Sequence, residues 1–308
     1  MSAEKRKALA DRVRARDFFV APGVYDMISA RIADRMGFPA IYMTGYGATA
    51  SYLGVADAGL ASYRDMVTRA GQIASGTTTP LIADADTGYG GLLNVAQTVR
   101  GYEAAGVCAL HIEDQADPKK CGHTPGKQIV PTHDMVMRIR VAVDAKSDPN
   151  FLVIARTDSR ANEGLDSACR RAEAYAEAGA DVLFIEAPTS LEEVEIIARR
   201  FDQPLMINIS DVGLTPVVPA ETLAELGYAF AIYPGTAFAA AAYAIEKVYE
   251  TLRTKGSTKE IPVPLMPGLE MHTLMGFPDV WAFEEKWGIE AKVENDPAAD
   301  LRRRAKAS

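Results

Sequence analysis

The segment from 113 to 131, EDQADPKKCGHTPGKQIVP, holds the residues whose types and spacing most strongly suggest chemistry. It places Cys121 beside Lys119, Lys120 and His123, and nearby positive charge favours the thiolate form of a cysteine. Gly122 removes side-chain bulk where the backbone must turn. The segment is too polar to lie in a core. We therefore predict a reactive thiol on a mobile loop above an acidic site.

Ionisable residues also stand at the ends of apolar, strand-like runs. Asp84 and Asp86 are two positions apart, which on a strand directs both side chains the same way, and His111 and Glu113 repeat this on the next run. Three neighbouring carboxylates would repel one another without a cation, and carboxylate oxygens suit Mg²⁺ or Mn²⁺. The spacing predicts a divalent metal at Asp84, Asp86 and Glu113. His111 is either functional or a hydrogen-bonded core histidine.

Other strand ends supply polar side chains that could face the same volume. They are Tyr42, Thr44, Gly45, Arg156, Asp158, Glu186, Asn208 and Ser210. Arg156 and Glu186 could bind carboxylate or hydroxyl groups of a substrate, or they could form a plain buried ion pair. Cys108 and Cys169 follow strand and helix patterns and are expected in the core.

The elements that must position these residues alternate along the chain. Strand-like runs cover 18–23, 40–45, 80–86, 107–114, 151–158, 181–187, 204–210 and 228–234, and helical patterns cover 26–36, 62–75, 92–105, 133–146, 163–178, 190–200, 219–226 and 235–254. Eight such units in about 250 residues are typical of a (β/α)8 TIM-type barrel, whose active site lies at the carboxyl ends of the strands. The alternative, a doubly wound sheet, lacks a GxGxxG turn after its first strand.

We expect the barrel to span 1–261. Residues 262–308 would form a helical extension that packs on the barrel or on a neighbouring subunit, because Leu265, Phe277, Trp281 and Trp287 are too apolar to lie bare. The basic run 302–306 is expected to be a solvated tail.

Composition narrows the possible partners. The chain has 308 residues, 48% of them hydrophobic, and a net charge of −8, which argues against nucleic acid and anionic membranes as partners. Three cysteines without framework spacing fit a reducing cytoplasm. No signal peptide opens the chain, since 1–17 is a charged amphipathic helix, and no apolar run approaches the roughly 20 residues that span a bilayer.

At these residues the chain resembles the phosphoenolpyruvate mutase/isocitrate lyase superfamily. The motifs that carry the resemblance are YMTGYGATASYLGVADAG (42–59), DADTGYGG (84–91), HIEDQ (111–115), KKCGH (119–123), RTD (156–158), and NIS with TP (208–216). The resemblance covers roughly 5–290 and implies the barrel fold, with a last helix swapped between subunits of a tetramer. KKCGH resembles the lyase branch, since mutases and oxaloacetate decarboxylases of the superfamily lack that cysteine.

The resemblance also implies roles for individual residues. Asp84, Asp86 and Glu113 would hold Mg²⁺, with Asp86 as the direct ligand. Cys121 would be the acid/base residue, and Tyr42, Lys119, His111 and His123 would complete the catalytic set. The expected substrate-binding residues are Thr44, Gly45, Tyr46, Asp57, Gly122, Arg156, Glu186, Asn208 and Ser210.

The implied activity is Mg²⁺-dependent cleavage of a carbon–carbon bond in a 2-hydroxy di- or tricarboxylate, of the 2-alkylmalate or 2-methylisocitrate type, to a 2-oxo acid such as pyruvate plus a carboxylate. Tyr46 favours the alkylmalates, whereas the NIS segment favours methylisocitrate. The alternatives are an oxaloacetate decarboxylase, a phosphonopyruvate or phosphoenolpyruvate mutase or hydrolase, and a catalytically silent binding barrel.

Overall fold

The computed structural model describes residues 2–211 and 213–288. Its elements are, in order, α1 (Ser2–Arg14), β1 (Phe19–Val24), α2 (Met27–Arg35), β2 (Ile41–Met43), α3 (Gly45–Leu53), α4 (Tyr63–Gly76), β3 (Leu81–Asp84), α5 (Leu92–Ala104), β4 (Ala109–Glu113), α6 (Thr132–Ala145), β5 (Leu152–Thr157), α7 (Arg160–Glu163), α8 (Leu165–Glu177), β6 (Val182–Ile185), α9 (Leu191–Arg200), β7 (Leu205–Asn208), α10 (Ala220–Glu225), β8 (Phe230–Tyr233), α11 (Thr236–Lys255), α12 (Gly268–Leu274) and α13 (Phe277–Lys286).

The eight strands are parallel and close into a barrel in chain order, β1 to β8, with β8 pairing to β1. The predicted (β/α)8 fold is therefore confirmed, and the doubly wound alternative is wrong. Local sequence explains several helix starts. The side chains of Asp26 and Ser62 accept hydrogen bonds from the N3 amides of α2 and α4, which satisfies amide groups that a helix leaves unpaired at its beginning.

Side chains alternate between the barrel interior and the helix-facing side. Tyr42, Ile82, Ile154, Phe184 and Ile232 belong to the interior cluster, which also includes Leu9, Ala10 and Val13 of α1. Their strand neighbours Met43, Ala83, Val153, Leu183 and Ala231 belong to a separate cluster with helix residues. Since α1 contributes to the interior cluster, it closes the amino-terminal end of the barrel, and the carboxyl end is left for the site.

The chain divides into two compact units, 1–240 and 241–308. The division falls inside α11, so the expected boundary at 261 lies within the second unit. The described part of that unit contains the end of α11 and the helices α12 and α13, which agrees with the helices expected after 262. Residues 289–308, including the basic run 302–306, lie outside the described residues. Within the described residues, no helix has the length and apolarity that a membrane span requires.

Candidate active site

Strand register brings the predicted acidic residues to one end of the barrel. Asp84 on β3 pairs with His111 on β4, and Glu113 on β4 pairs with Arg156 on β5. These residues continue the inward-facing alternation of Ile82 and Ile154, so their side chains project into the barrel at its carboxyl end. The alternation that was read from sequence therefore assembles this part of the site.

Asp84, His111 and Glu113 each offer a ligand atom, and these atoms all lie within 4.8 Å of one another. All three residues are buried, and Glu113 Oε1 has no hydrogen-bond partner. A buried carboxylate oxygen without a partner is costly, and burial raises the pKa of Glu113 well above its usual value. A divalent cation would satisfy this oxygen and stabilise the ionised carboxylate. The donor set therefore fits a metal.

His111 lies beneath the cluster. Its Nε2 is 2.7 Å from the Tyr42 hydroxyl and 3.5 Å from Asp84 Oδ1, and its ring stacks on that of Tyr42. Burial lowers the pKa of His111 to about 4, so the imidazole is neutral. His111 is absent from the residues that line the cavity described below. In this position His111 can orient Tyr42 and Asp84, and its expected catalytic role stays a prediction.

Asp86 departs from the expected geometry. Strand β3 ends at Asp84, and Asp86 adopts a left-handed backbone with φ of 47°, so strand alternation does not direct its side chain. Its Oδ1 is 2.6 Å from Lys119 Nζ, which is also 2.5 Å from Asp57 Oδ1. Asp86 is outside the group of three potential ligands. Strand alternation therefore does not explain the position of the Asp86 carboxylate, although Lys119 faces both Asp84 and Asp86. The expected role of Asp86 as a metal ligand stays a prediction.

Lys119 is the buried cation of this region, with a side chain only 3% exposed. Burial raises the pKa of Asp86 to about 7, although Lys119 opposes the shift. One lysine thus faces Asp57, Asp84, Asp86 and Glu113, whose charges raise the pKa of Lys119 well above its usual value despite burial. Four carboxyl groups around one ammonium leave an excess of negative charge, which is a second reason why the site suits a divalent cation.

Arg156 forms a buried ion-pair cluster. Its Nε and Nη2 donate to Asp158 at 2.8 and 3.0 Å, and its Nη1 lies 3.2 Å from Glu186 Oε2. Its Nε is also 3.4 Å from Glu113 Oε2. Arg156 thus forms the buried ion pair that was one interpretation of its sequence position. It also lines the cavity, as the alternative interpretation of a substrate-binding residue requires.

The Cys121 loop (residues 115–129) covers this cluster. Cys121 is half-buried and lines the cavity, but the expected thiolate is not supported. Burial raises the pKa of Cys121. Lys119 is paired with acids, and the ammonium of the exposed Lys120 donates a hydrogen bond to the Gly126 carbonyl at 3.0 Å. His123 Nδ1 accepts a hydrogen bond from the Leu214 amide. The lysines that precede Cys121 and the imidazole that follows it therefore have other partners, and the thiol keeps its proton.

A cavity of about 370 Å³ lies between the loop and the barrel. Among the predicted site residues, those that line it are Tyr42, Thr44, Tyr46, Asp57, Asp84, Lys119, Cys121, Gly122, His123, Arg156, Glu186, Asn208 and Ser210. Gly45, Asp86, His111 and Glu113 are not in this lining. A Cβ at Gly45 would come within 2.3 Å of Asp84 Oδ2, so glycine is required where β2 passes into α3 against the acidic cluster.

One wall of the cavity is aromatic. The ring of Tyr46, on the first turn of α3, lies edge-on to Phe238 on α11 at 5.8 Å, and Phe238 also meets Tyr25 at 5.2 Å. Opposite this wall, Asn208 Nδ2 lies 3.2 Å from Glu186 Oε1 and 3.1 Å from His123 Nε2. The cavity therefore has a polar end at Arg156 and Glu186 and an apolar side at Tyr46.

The sequence reasoning missed several residues of this region, of which Phe238 and Lys127 matter most to its geometry. Phe238 follows β8 by a few residues on the carboxyl side of the barrel, and that position was the available signal. Lys127 lies in the quoted polar segment but was not singled out; it is buried and binds Asp158. Lysine is rarely fully buried unless paired, but burial cannot be read from a loop sequence.

Comparisons with known proteins agree with this geometry. The family model described as phosphoenolpyruvate phosphomutase matches residues 9–253. The 2,3-dimethylmalate lyase of Eubacterium barkeri is 41% identical over 268 residues, with 87% of this chain and 93% of the relative covered. The 2-methylisocitrate lyase of Aeropyrum pernix is 43% identical over 271 residues, covering 88% and 87%.

Solved structures of other proteins are also similar to this chain along most of its length. Oxaloacetate acetylhydrolase in complex with 3,3-difluorooxalacetate superposes with a TM-score of 0.88 at 34% identity, covering 94% of this chain and 99% of that one. Phosphonopyruvate hydrolase in complex with oxalate and Mg²⁺ superposes with a TM-score of 0.83 at 30% identity, covering 92% and 99%.

Proposed function

The chain belongs to the phosphoenolpyruvate mutase/isocitrate lyase superfamily, and we propose that it is a carbon–carbon lyase acting on a 2-hydroxy di- or tricarboxylate. The products would be a 2-oxo acid such as pyruvate and a second carboxylate. The observation that carries this assignment is the position of Cys121, whose thiol lines the same cavity as Asp84 and Arg156. A protonated thiol beside a metal-binding carboxylate suits a reaction that must protonate a leaving carbanion.

Asp84 and Glu113 would hold the divalent cation, Mg²⁺ or Mn²⁺, with Asp86 contributing after Lys119 releases it. When bound, the cation supplies Lewis-acid polarisation of substrate oxygens. The structure of phosphonopyruvate hydrolase with oxalate and Mg²⁺ supports this assignment, since oxalate has the adjacent oxygens of a 2-oxo or 2-hydroxy acid.

The protein's own groups would bind and orient the substrate. Thr44 and Tyr46 line the cavity at the amino-terminal end of α3, where unpaired amide groups and the helix dipole favour a carboxylate. The Tyr42 hydroxyl is held by His111 and would reach the same end of the substrate. Arg156 would contact a second carboxylate from the other side of the cavity.

Cleavage breaks the bond between the carbinol carbon and its neighbour. The carbinol hydroxyl gives its proton to a carboxylate of the cavity lining and becomes the carbonyl of the 2-oxo acid. The electron pair of the broken bond stays on the departing carbon. That carbon would take a proton from Cys121 Sγ. Since burial raises the pKa of Cys121, the thiol is available as a general acid at neutral pH. The loop would also exclude water, which could otherwise protonate the carbanion.

Within the proposed class we favour 2-alkylmalates over 2-methylisocitrate. Tyr46 and Phe238 provide an apolar wall for an alkyl substituent, while Arg156 and Lys119 are already paired with protein carboxylates and offer little to a third substrate carboxylate. Excluding a larger substrate by steric overlap can discriminate more strongly than the 1–3 kcal/mol or so that a missing methylene supplies.

A panel of 2-hydroxy di- and tricarboxylates, coupled to detection of pyruvate or glyoxylate, tests both levels of the proposal. Tyr46→Gly should shift the ratio of kcat/KM values toward methylisocitrate. Tyr52→Gly is the matched control, because Tyr52 lies on the same helix but does not line the cavity. No cleavage of any member would contradict the lyase assignment. A wild-type preference for methylisocitrate that Tyr46→Gly leaves unchanged would contradict the substrate assignment alone.

We also propose that the protein acts in the cytoplasm as a homo-oligomer, with a tetramer as the expected state. The support is the apolar sequence of the carboxyl-terminal segment, whose described helix α13 carries Phe277, Trp281 and Phe283. Contiguous apolar surface of this kind is typical of subunit interfaces. Light scattering coupled to size-exclusion chromatography measures the oligomeric state directly. A monomer across the working concentration range would refute the proposed homo-oligomer.

A further inference from the structure

The Cys121 loop contains no helix or strand, so individual contacts hold it over the cavity. An isolated antiparallel bridge between Gln115 and Ile129 closes its base. On one side of the tip, the Cys121 amide donates to the Asp57 carbonyl at 3.1 Å, and Lys119 pairs with Asp57 and Asp86. The other side of the tip, which begins at Gly122, needs its own attachment to the barrel.

His123 contributes to this attachment through Asn208, and Lys127 provides the buried, charged part of it. The Lys127 side chain is 3% exposed, and its ammonium donates to the Gly122 carbonyl and, at 2.9 Å, to Asp158 Oδ1. Burying a lysine removes its charge from water, which is tolerated only when the charge is paired and hydrogen-bonded. Asp158 meets this condition, since its own side chain is fully buried. Lys127 thus joins the tip of the loop to the end of β5.

Asp158 is a rigid anchor. Arg156 donates two hydrogen bonds to it, and its backbone amide donates to Asp114 Oδ1 at 2.9 Å. Asp114 is in turn bonded by Thr157 and Tyr175 from β5 and α8. A group tied to Asp158 is therefore tied to the barrel wall.

Gly122 shows how closely this attachment draws the loop to the site. A Cβ at Gly122 would lie 2.3 Å from Arg156 Nη2 and 2.8 Å from Glu186 Cγ. Only glycine allows the backbone to approach so near to the ion-pair cluster. Because Gly122 follows Cys121 directly, the bond from Lys127 to the Gly122 carbonyl also limits where the thiol can lie.

We propose that Lys127 is a positioning residue for the reaction. It holds the Cys121 loop against the barrel by bridging Gly122 and Asp158, and it thereby keeps the Cys121 thiol in the cavity and away from solvent. Lys127 itself need not touch the substrate. The consequence for turnover rests on the proposed lyase function, whereas the closure of the loop does not.

The test replaces Lys127 with Met, which keeps the length of the side chain and removes the ammonium. Lys120→Met is the matched control, since Lys120 is on the same loop and bonds a loop carbonyl, but is exposed and does not reach the barrel. The rate of iodoacetamide labelling of Cys121 is followed by peptide mass spectrometry without substrate. Labelling at Cys108 and Cys169, both buried, reports any general unfolding.

In Lys127→Met, Cys121 should be labelled at least about tenfold faster than in wild type, while Cys108 and Cys169 stay protected. The kcat of this variant should fall at least about tenfold, and its KM should change less. Lys120→Met should match wild type in the labelling rate of Cys121 and in kcat. Lys127→Gln repeats the test if the Met variant does not fold, and Lys127→Arg should restore part of the protection. Unchanged labelling refutes the proposal, whatever happens to kcat. Faster labelling in an enzyme that cleaves no 2-hydroxy acid would retain the loop inference and refute only the lyase function.

Discussion

Arg156 offers the most quantitative test of how the site is held together. Arg156→Met keeps much of the side-chain volume but removes the charge that Asp158, Glu186 and Glu113 share. All three carboxylates have side chains no more than 1% exposed. Removing one partner of a buried ion pair costs about 3–5 kcal/mol, because an uncompensated charge remains. At about 2–4 °C per kcal/mol, Tm should fall by roughly 6–20 °C.

Arg200→Met is the control for this loss. Arg200 also pairs with two carboxylates, Glu173 at 2.8 Å and Asp166 at 2.9 Å, but their side chains are 44% and 68% exposed. Solvent screens pairs this exposed, so this variant should lose much less of its Tm than Arg156→Met. Calorimetry in the presence of a chelator gives the Tm of wild type, Arg156→Met and Arg200→Met without a contribution from metal binding.

The Tm difference between wild type and Arg156→Met should also depend on pH. Burial raises the pKa of Asp158, but Arg156, followed by Lys127, overrides burial and holds that pKa well below its usual value. In the wild type, the stabilisation from Asp158 is present above its unfolded pKa of about 3.9 and is lost only as pH falls through the lower folded value. Without Arg156, only Lys127 still opposes the effect of burial, so the folded pKa of Asp158 rises. Protonation of the carboxylates that lost Arg156 then stabilises the variant relative to wild type as pH falls.

The Tm difference between wild type and Arg156→Met should therefore narrow between pH 7.5 and about pH 5.5. The Arg200→Met difference should stay nearly constant over the same range. Equal losses in the two variants at pH 7.5, or a difference that widens toward acid, would refute the view that Arg156 compensates buried charge.

Four further outcomes are expected. Chelation should abolish turnover, because Asp84 and Glu113 need a cation, and Mg²⁺ or Mn²⁺ should restore it; full activity in excess chelator would contradict the metal assignment. Cys121→Ala should lower kcat by roughly 10²–10⁴-fold with an unchanged circular dichroism spectrum, and retention of more than about a tenth of wild-type kcat would exclude general acid catalysis by the thiol. Because burial raises the pKa of Cys121, its alkylation in the wild type should be slow at pH 7 and rise only above the usual thiol pKa of about 8.5, whereas a plateau near pH 7 would indicate a thiolate. Deleting the chain from Pro264 should give insoluble protein, and a stable, active monomer would count against the interface.

Local sequence determined most of the architecture. Short apolar runs that end in polar residues marked all eight strands, and apolar spacing marked the main barrel helices, since these patterns follow directly from strand and helix periodicity. Helix α3 was missed because GYGATASYL contains two glycines and has no clear apolar spacing. Its amino-terminal end is specified by Thr44, whose side chain accepts from the Gly47 amide, and by its place at the end of β2.

The chemical site was predicted where strand geometry alone places the side chain. Asp84, Glu113 and Arg156 came together as expected, because inward alternation holds to the end of each strand. Glu186 joins them from the position just after β6. Strand alternation does not extend to Asp86, since β3 has already ended and the backbone of Asp86 is left-handed. Lys119 nevertheless faces both Asp86 and Asp84, so a loop contact and not the strand rule accounts for its position.

The tertiary structure alone decided which charges meet. From sequence, Lys119 and Lys120 were assigned to Cys121 because they are its neighbours in the chain. In the fold, Lys119 turns inward to Asp57 and Asp86, and Lys120 stays at the surface. Lys127, six residues from Cys121, reaches Asp158 on another element. Charge interactions depend on distance and burial in space, and in a loop without a repeating geometry neither quantity follows from position along the chain.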